Sequence, residues 1–177
     1  MTLDFSQNFF ELFGLPQRFA IEPAVLERSY REIQSQIHPD RFAGAGDAER
    51  RASMQWTTRV NEAYQTLKSP IRRAAYLLAL HGIDPGFETN TAMPTDFLTR
   101  QMAWREAVEE ASGAGDAPEL DRLSAQLRGE LDRLYADLAI ELESPAGYPG
   151  AARTLRKLKF LEKVAEEIGD AHERLGT

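Results

Sequence analysis

Cysteine is absent from the 177 residues, which removes disulfides, zinc–thiolate sites, thiolate-held clusters and cysteine nucleophiles from consideration. Only three histidines occur, His38, His81 and His172, too few and too scattered for a metal site or a histidine-based triad. No phosphate-cradling glycine loop, nucleophile elbow or metal-ligand spacing is present, so neither an enzyme nor a cofactor is expected. No apolar run approaches the length of a membrane span. The start, Met1-Thr2-Leu3-Asp4-Phe5, lacks the basic and apolar stretches of a secretory signal. A soluble cytoplasmic protein is the expectation, with no membrane partner. Positive charge is also in deficit: the net charge of −7 gives a polyanion no bulk reason to bind, and no nucleic-acid partner is expected.

What is present is enough apolar material, 42% of residues, to build one large core or two small ones. The charge is unevenly placed. Residues 1–82 carry 10 Lys/Arg against 9 Asp/Glu, whereas residues 83–177 carry 11 against 19, which points to different partners for the two halves.

Apolar spacing is helical nearly throughout, and no stretch alternates as a strand would, so the chain is expected to be all-α. Phe9, Leu12 and Phe13 share a face of a short helix that stops at Gly14, before Leu15-Pro16. A second helix opens near Pro23, carries Leu26, Tyr30, Ile33 and Ile37 as its stripe and ends before Pro39. Asp47 is expected to cap a third, with Trp56, Val60, Ala63 and Leu67 inward. Ser69-Pro70 starts a fourth, running through Tyr76, Leu77, Leu78 and Leu80 to Gly82, where His81 is expected as a terminal cap. Asp84-Pro85-Gly86 and the following Thr-Asn-Thr read as turn and linker.

Beyond the linker, a helix from about Thr95 to Ser112 is cut by Gly113-Ala114-Gly115. A longer one carries Leu120, Leu123, Leu127, Leu131, Leu134, Leu138 and Leu142 in a coiled-coil-like seam, broken over Ser144–Gly150. The last helix is expected to turn Leu155, Leu158, Leu161, Ala165, Ile168 and Leu175 inward. Three helices with short connections suggest an antiparallel bundle.

The connection between the second and third helices holds His38-Pro39-Asp40-Arg41-Phe42. Proline fixes its own φ and pushes His38 out of helical geometry, leaving a rigid exit with an imidazole and a carboxylate side by side. Read alone, Pro39 ends a helix and Asp40 caps a turn, and residue usage yields such a tripeptide in roughly one chain of this length in a hundred. Here it stands between two amphipathic helices and is followed by Asn61-Glu62-Ala63-Tyr64-Gln65-Thr66-Leu67 and Ser69-Pro70-Ile71-Arg72-Arg73. In that setting the first half resembles a J domain. Three further motifs sharpen the likeness: Phe10-Glu11-Leu12-Phe13-Gly14-Leu15-Pro16, Ala75-Tyr76-Leu77-Leu78-Ala79-Leu80-His81-Gly82 and Arg156-Lys157-Leu158-Lys159-Phe160-Leu161. Together they resemble the HscB family, the J-type co-chaperones of iron–sulfur cluster biogenesis, over almost the whole chain.

The resemblance implies a J domain over residues 1–82, a linker over 83–93 and a three-helix bundle over 94–177. It implies that the bundle holds an IscU-type cluster scaffold and that the J domain brings it to an HscA- or DnaK-type chaperone and stimulates ATP hydrolysis, with no turnover of its own. His38, Pro39 and Asp40 are then the chaperone contact, with Arg28, Arg31 and Arg41 as basic partners of it. Many members carry lysine or arginine in the turn Ser35-Gln36-Ile37, and this chain does not. Arg28 and Arg31 read equally well as a solvated face.

Scaffold binding falls by resemblance to Leu98, Met102, Glu106, Glu110 and Phe160, the first four of which lie about one turn apart on one side of their helix. Thr99 stands where a larger apolar residue is usual, and Ala103 where an acid is. An adaptable methionine and an aromatic outside the core stripe suit an interface, whereas a generic bundle would bury them. Arg153, Arg156, Lys157, Lys159 and Lys163 form a basic cluster expected to pair with acids or lie in water, and His172 is expected at the surface. Three other readings compete: a J protein holding unfolded clients in general, an enzyme using His38 and Asp40 as acid and base, and an oligomer built on the leucine seam. A monomer is expected, because bundle packing uses that seam.

Overall fold

The computed structural model describes residues 4, 6–42, 44–87 and 93–176. Residues 88–92 of the expected linker and Ala43 of the loop lie outside the described residues, and of Pro39 only the backbone is described. Among the described residues every regular element is helical, as the apolar spacing requires. The chain divides into two compact units at His81/Gly82.

The first unit contains α1 (Phe9–Leu12), α2 (Pro23–Ile37), α3 (Asp47–Lys68) and α4 (Pro70–Leu80). A capping box starts α1: the Asn8 side chain accepts from the Glu11 N–H, and the Glu11 carboxylate accepts from the Asn8 N–H. Phe10, Leu12 and the following Phe13 are buried, as are Val60, Leu67, Leu77 and Leu78 of the same unit, and Phe9 stacks on Tyr76 of α4 with centroids 4.4 Å apart. The hairpin of α2 and α3 is pinned by three side-chain bonds that run in antiparallel register. The Tyr64 hydroxyl donates to Glu27 at 2.5 Å, Tyr30 to the Asn61 carbonyl oxygen at 2.9 Å, and the buried Ser53 hydroxyl to the Ile37 carbonyl at 2.6 Å. Tyr30 and Tyr64 stack with centroids 4.0 Å apart.

The second unit contains α5 (Thr95–Ala114), α6 (Ala117–Glu141) and α7 (Tyr148–Leu175), with a short 3-10 turn over Pro145–Gly147. Phe97 meets Phe160 and Arg105 meets Glu167, so α5 and α7 run parallel; Asp121 meets His172, so α6 runs against α7. This is the up-down-up bundle expected of three helices on short connections. Its core is Phe97, Val108 and Ala111 of α5, Leu120, Leu123, Leu127, Leu134 and Leu138 of α6, and Leu155, Leu158, Leu161, Val164 and Ile168 of α7. The turn Asp84-Pro85-Gly86, read from sequence as linker, is held to this unit: Arg156 donates to the Pro85 carbonyl at 2.8 Å.

Several local expectations need correction. Gly46, not Asp47, occupies the N-cap of α3; Asp47 is its first helical residue and pairs with Arg50, favouring the helix start through the dipole instead. Gly113 stays helical, and α5 ends at Ala114, two residues later than expected, with Gly115 as its C-cap, whose φ of 70° suits glycine. The break after α6 runs over residues 142–147 and not 144–150: Leu142 is the C-cap of α6, and Pro149 sits in the first turn of α7, where proline lacks only an orphan N–H. Tyr30, Trp56, Tyr76, Leu131, Ala165 and Leu175 are half-buried and Leu80 is exposed, so the stripes are narrower than periodicity suggests. His172 is not a free surface residue: it is half-buried with Nε2 3.7 Å from Asp121.

Candidate functional site

The first candidate is the exit of α2. Pro39 cannot extend the helix, and His38 takes φ −55°, ψ 130° as its C-cap. Residues Pro39–Phe42 then make one 3-10 turn, closed by the Arg41 N–H on the His38 carbonyl at 3.0 Å. Two side chains satisfy the last carbonyls of α2. Arg41 donates to Ser35 at 2.8 Å, and Ser53 of α3 donates to Ile37 from within the core. The loop is thereby tied to α2 through Arg41, and the end of α2 beside it to α3 through Ser53.

On this base the Asp40 backbone N–H donates to Nδ1 of His38 at 3.3 Å, and an Asp40 carboxylate oxygen lies 3.5 Å from the same nitrogen. An Nδ1 that accepts leaves Nε2 as the donor of the neutral ring. The His38 side chain is 53% exposed and that of Asp40 89%. Side chains this open to solvent are an arrangement suited to contact with another surface.

The basic residues nearby are not equivalent. Arg41 is committed to the Ser35 carbonyl, so part of its role is to cap α2. Arg31 pairs with Glu27 at 2.7 Å, four residues earlier on the same exposed face. Glu27 also receives the Tyr64 hydroxyl. That bond, followed by the one from Arg31, holds the Glu27 carboxyl below the usual range, and the same bond pushes the Tyr64 phenol up. Arg28 is exposed on α2.

The second candidate lies on the bundle. The buried residues of α5 are Phe97, Gln101, Val108 and Ala111, spaced by four, seven and three; Leu98 and Met102 are each one position further round. Leu98 is therefore half-buried and Met102 is 62% exposed, while Glu106 and Glu110 continue the exposed side. Phe160 is half-buried on α7, edge-on to the buried Phe97 at 5.9 Å, with the Arg105 guanidinium 5.1 Å from its centroid. None of the three expected apolar anchors is consumed by the core.

Leu98 and Phe160 share a cleft of about 240 Å³ with Phe87, Met93, Arg156, Lys159 and Lys163. Met102, Glu106 and Glu110 do not line it, and the five expected scaffold residues thus divide between the cleft and the neighbouring side of α5. Phe87 and Met93 were not singled out from sequence, since they sit at a turn and before a helix, where periodicity carries no signal. Phe97 was also missed; its adjacency to Leu98 is the clue, because two successive helical residues cannot both face one core. Thr99 is exposed, its hydroxyl donating to the Thr95 carbonyl at 2.9 Å, and Ala103 is exposed. The basic cluster does pair in part: Lys159 with Glu162 at 2.9 Å, and Lys157 over the Phe97 ring at 5.9 Å. Among the described residues no group of histidines and acids could hold a metal ion, and no helix is long and apolar enough to cross a membrane.

Comparison with known proteins places these features together. Residues 93–169 match a family described as "HSCB C-terminal oligomerisation domain". The chain is 49% identical over 175 residues to a "Co-chaperone protein HscB homolog" of Azoarcus sp., covering 99% of both chains. A protein of that description from Burkholderia mallei is 52% identical over 168 residues, covering 95% of both. The solved structure of chaperone HscB from Vibrio cholerae superposes with a TM-score of 0.86 at 35% identity, covering 96% of this chain and 99% of that one.

Proposed function

The chain belongs to the HscB family of co-chaperones, and from that premise we propose that it serves iron–sulfur cluster assembly in the cytoplasm by delivering an IscU-type scaffold to an HscA-type chaperone. The J domain, residues 4–81, carries the chaperone contact at His38, Pro39 and Asp40, with Arg28 and Arg31 on the adjoining face of α2. The bundle carries the scaffold through Leu98 and Phe160 in the cleft and Met102, Glu106 and Glu110 beside it. The protein acts as a monomer and turns nothing over itself; the hydrolysis belongs to the chaperone.

One observation carries this reading. A half-exposed His38 and a largely exposed Asp40 sit on a loop that Arg41 bonds to the end of α2, which Ser53 in turn bonds to α3, so their geometry is set before any partner arrives. Contacts preorganised in this way lose little entropy on binding. The Asp40 carboxylate is also available to a partner, since among the described residues no Lys or Arg is paired with it. The leucine seam supports a monomer, because Leu120, Leu123, Leu127, Leu134 and Leu138 are already buried within the bundle.

The test is single-turnover ATP hydrolysis by the HscA-type chaperone of the same organism, with scaffold, then with this protein, then with its Asp40→Asn variant. The expected result is stimulation by the intact protein and a loss of about tenfold or more in the variant, the size of one hot-spot contact. No response from this chaperone or from a general DnaK-type chaperone to the intact protein would refute the proposal.

A further inference from the structure

The cleft on the bundle has a charge that its unit as a whole does not. Residues 83–177 hold 19 acidic against 11 basic side chains, yet among the described residues the cleft is lined by three cations, Arg156, Lys159 and Lys163, and by no carboxylate. Its floor is apolar: Phe87, Met93, Leu98 and Phe160. An apolar recess with a rim of one sign accepts an apolar side chain whose neighbours carry the opposite sign.

Each cation is differently held, and the differences bear on what it can do. Arg156 is fixed by its bond to the Pro85 carbonyl, a neutral acceptor that leaves its charge uncompensated, and its Nε is buried without a partner. Lys159 reaches Glu162 at 2.9 Å, but both side chains are more than a third exposed and three residues apart on one helix. Such an exposed pair is weak, so a partner's carboxylate can take the ammonium over. Lys163 is exposed one turn further along α7. Arg105, by contrast, is paired with Glu167 at 3.1 Å while covering the Phe160 ring and does not line the cleft. On the neighbouring side of α5 the sign reverses, with Glu106 and Glu110 exposed beyond Met102.

We propose that the cleft is charge-selective: it takes an apolar side chain of the scaffold that is flanked by carboxylates, and Arg156, Lys159 and Lys163 determine that specificity. This rests on the scaffold reading above and goes further by assigning the α7 edge a role and the occupant a sign. Because the α5 side is acidic, the two edges also impose a direction on the bound segment, with its acidic end toward α7. Electrostatic selection of this kind raises the association rate and weakens with salt.

The full-length chain is titrated calorimetrically with the IscU-type scaffold of its own organism at about 50 and about 200 mM salt, a range over which screening becomes substantial. Four proteins are compared: wild type, Leu98→Ala, Lys159→Glu/Lys163→Glu and Lys159→Arg/Lys163→Arg. Circular dichroism checks helix content, which exposed lysines should not alter. The charge reversal is expected to weaken binding at least tenfold at the lower salt and to remove the salt dependence, while the arginine pair keeps both. If the reversal binds like wild type and Leu98→Ala binds weakly, the cleft is blind to charge and the inference is overturned while the scaffold reading stands. If neither change weakens binding, the scaffold reading falls and the inference with it. If the reversal instead abolishes a concentration-dependent self-association of the wild type in sedimentation, the occupant is a second copy of this chain, which also overturns it.

Discussion

Glu27 shows how much one side chain can tie together. It accepts from Tyr64 of α3 at 2.5 Å and from Arg31 of its own helix at 2.9 Å. The carboxyl is held below its usual range, so its contribution to stability is complete above the unfolded-state value and is lost as pH falls through the folded-state one. Tyr64 is shifted upward, so the part that needs its proton is complete below the ordinary phenol range, near pH 10, and is lost as pH rises through the raised value. Tyr64→Phe is therefore expected to lower the denaturation midpoint at neutral pH by a margin that narrows on both sides. Urea titrations of wild type and variant between about pH 7 and about pH 3, the carboxylate range, check the acid limb. A margin that does not change with pH would mean that the charge of the Glu27 carboxylate does not set the loss.

At the scale of elements, the connection between α6 and α7 leaves no room for a side chain at Gly147. A Cβ placed on Gly147 would overlap the Glu141 carbonyl oxygen and lie 2.8 Å from its carbon, backbone atoms at the end of α6 that cannot turn aside. Gly169, within α7, has nothing within 4 Å of the same position. Gly147→Ala is expected to cost about 1–3 kcal/mol through overpacking, whereas Gly169→Ala should add about 0.5–1 kcal/mol by removing a flexible residue from a helix interior. Native-state hydrogen exchange on α6 and α7 reads both, and is preferable to one melting curve because two compact units need not unfold together.

The same scale explains what could be read from sequence. Pro23, Ser69-Pro70 and Gly82 fix helix limits through local backbone chemistry, and local chemistry is fully written in the chain. The His38-Pro39-Asp40 loop was legible for that reason: proline sets its geometry wherever it falls. The cleft was legible only in outline. Whether Phe97 or Leu98 turns inward depends on the rotation of α5 against two other helices, and the polar Gln101, 2% exposed with its Oε1 unpartnered, interrupts the stripe that would have revealed it. Phe87 and Met93 enter the lining from outside any helix, beyond the reach of periodicity.

For the whole molecule, the relevant fact is that each unit has its own buried core: Phe10, Leu12, Val60, Leu67 and Leu78 in one, Phe97, Leu120, Leu138, Leu155 and Leu161 in the other. On the function proposed above, such a chain would join two partners by covalent linkage, and if the two sites are independent, holding the scaffold raises its effective concentration at the chaperone without either site altering the other. That picture has a thermodynamic signature. Asp40→Asn should leave scaffold affinity unchanged. Phe160→Ala should weaken it about tenfold or more, as for a central aromatic anchor, and leave scaffold-free stimulation of the chaperone as it was. The double variant should then lose, in free energy, the sum of the two losses. Chaperone stimulation at subsaturating scaffold, measured for all four proteins, completes the cycle. A coupling larger than about 0.5 kcal/mol, the usual limit of additivity for independent sites, would mean that one domain senses the occupancy of the other and that the protein transmits a signal between its partners rather than merely bringing them together.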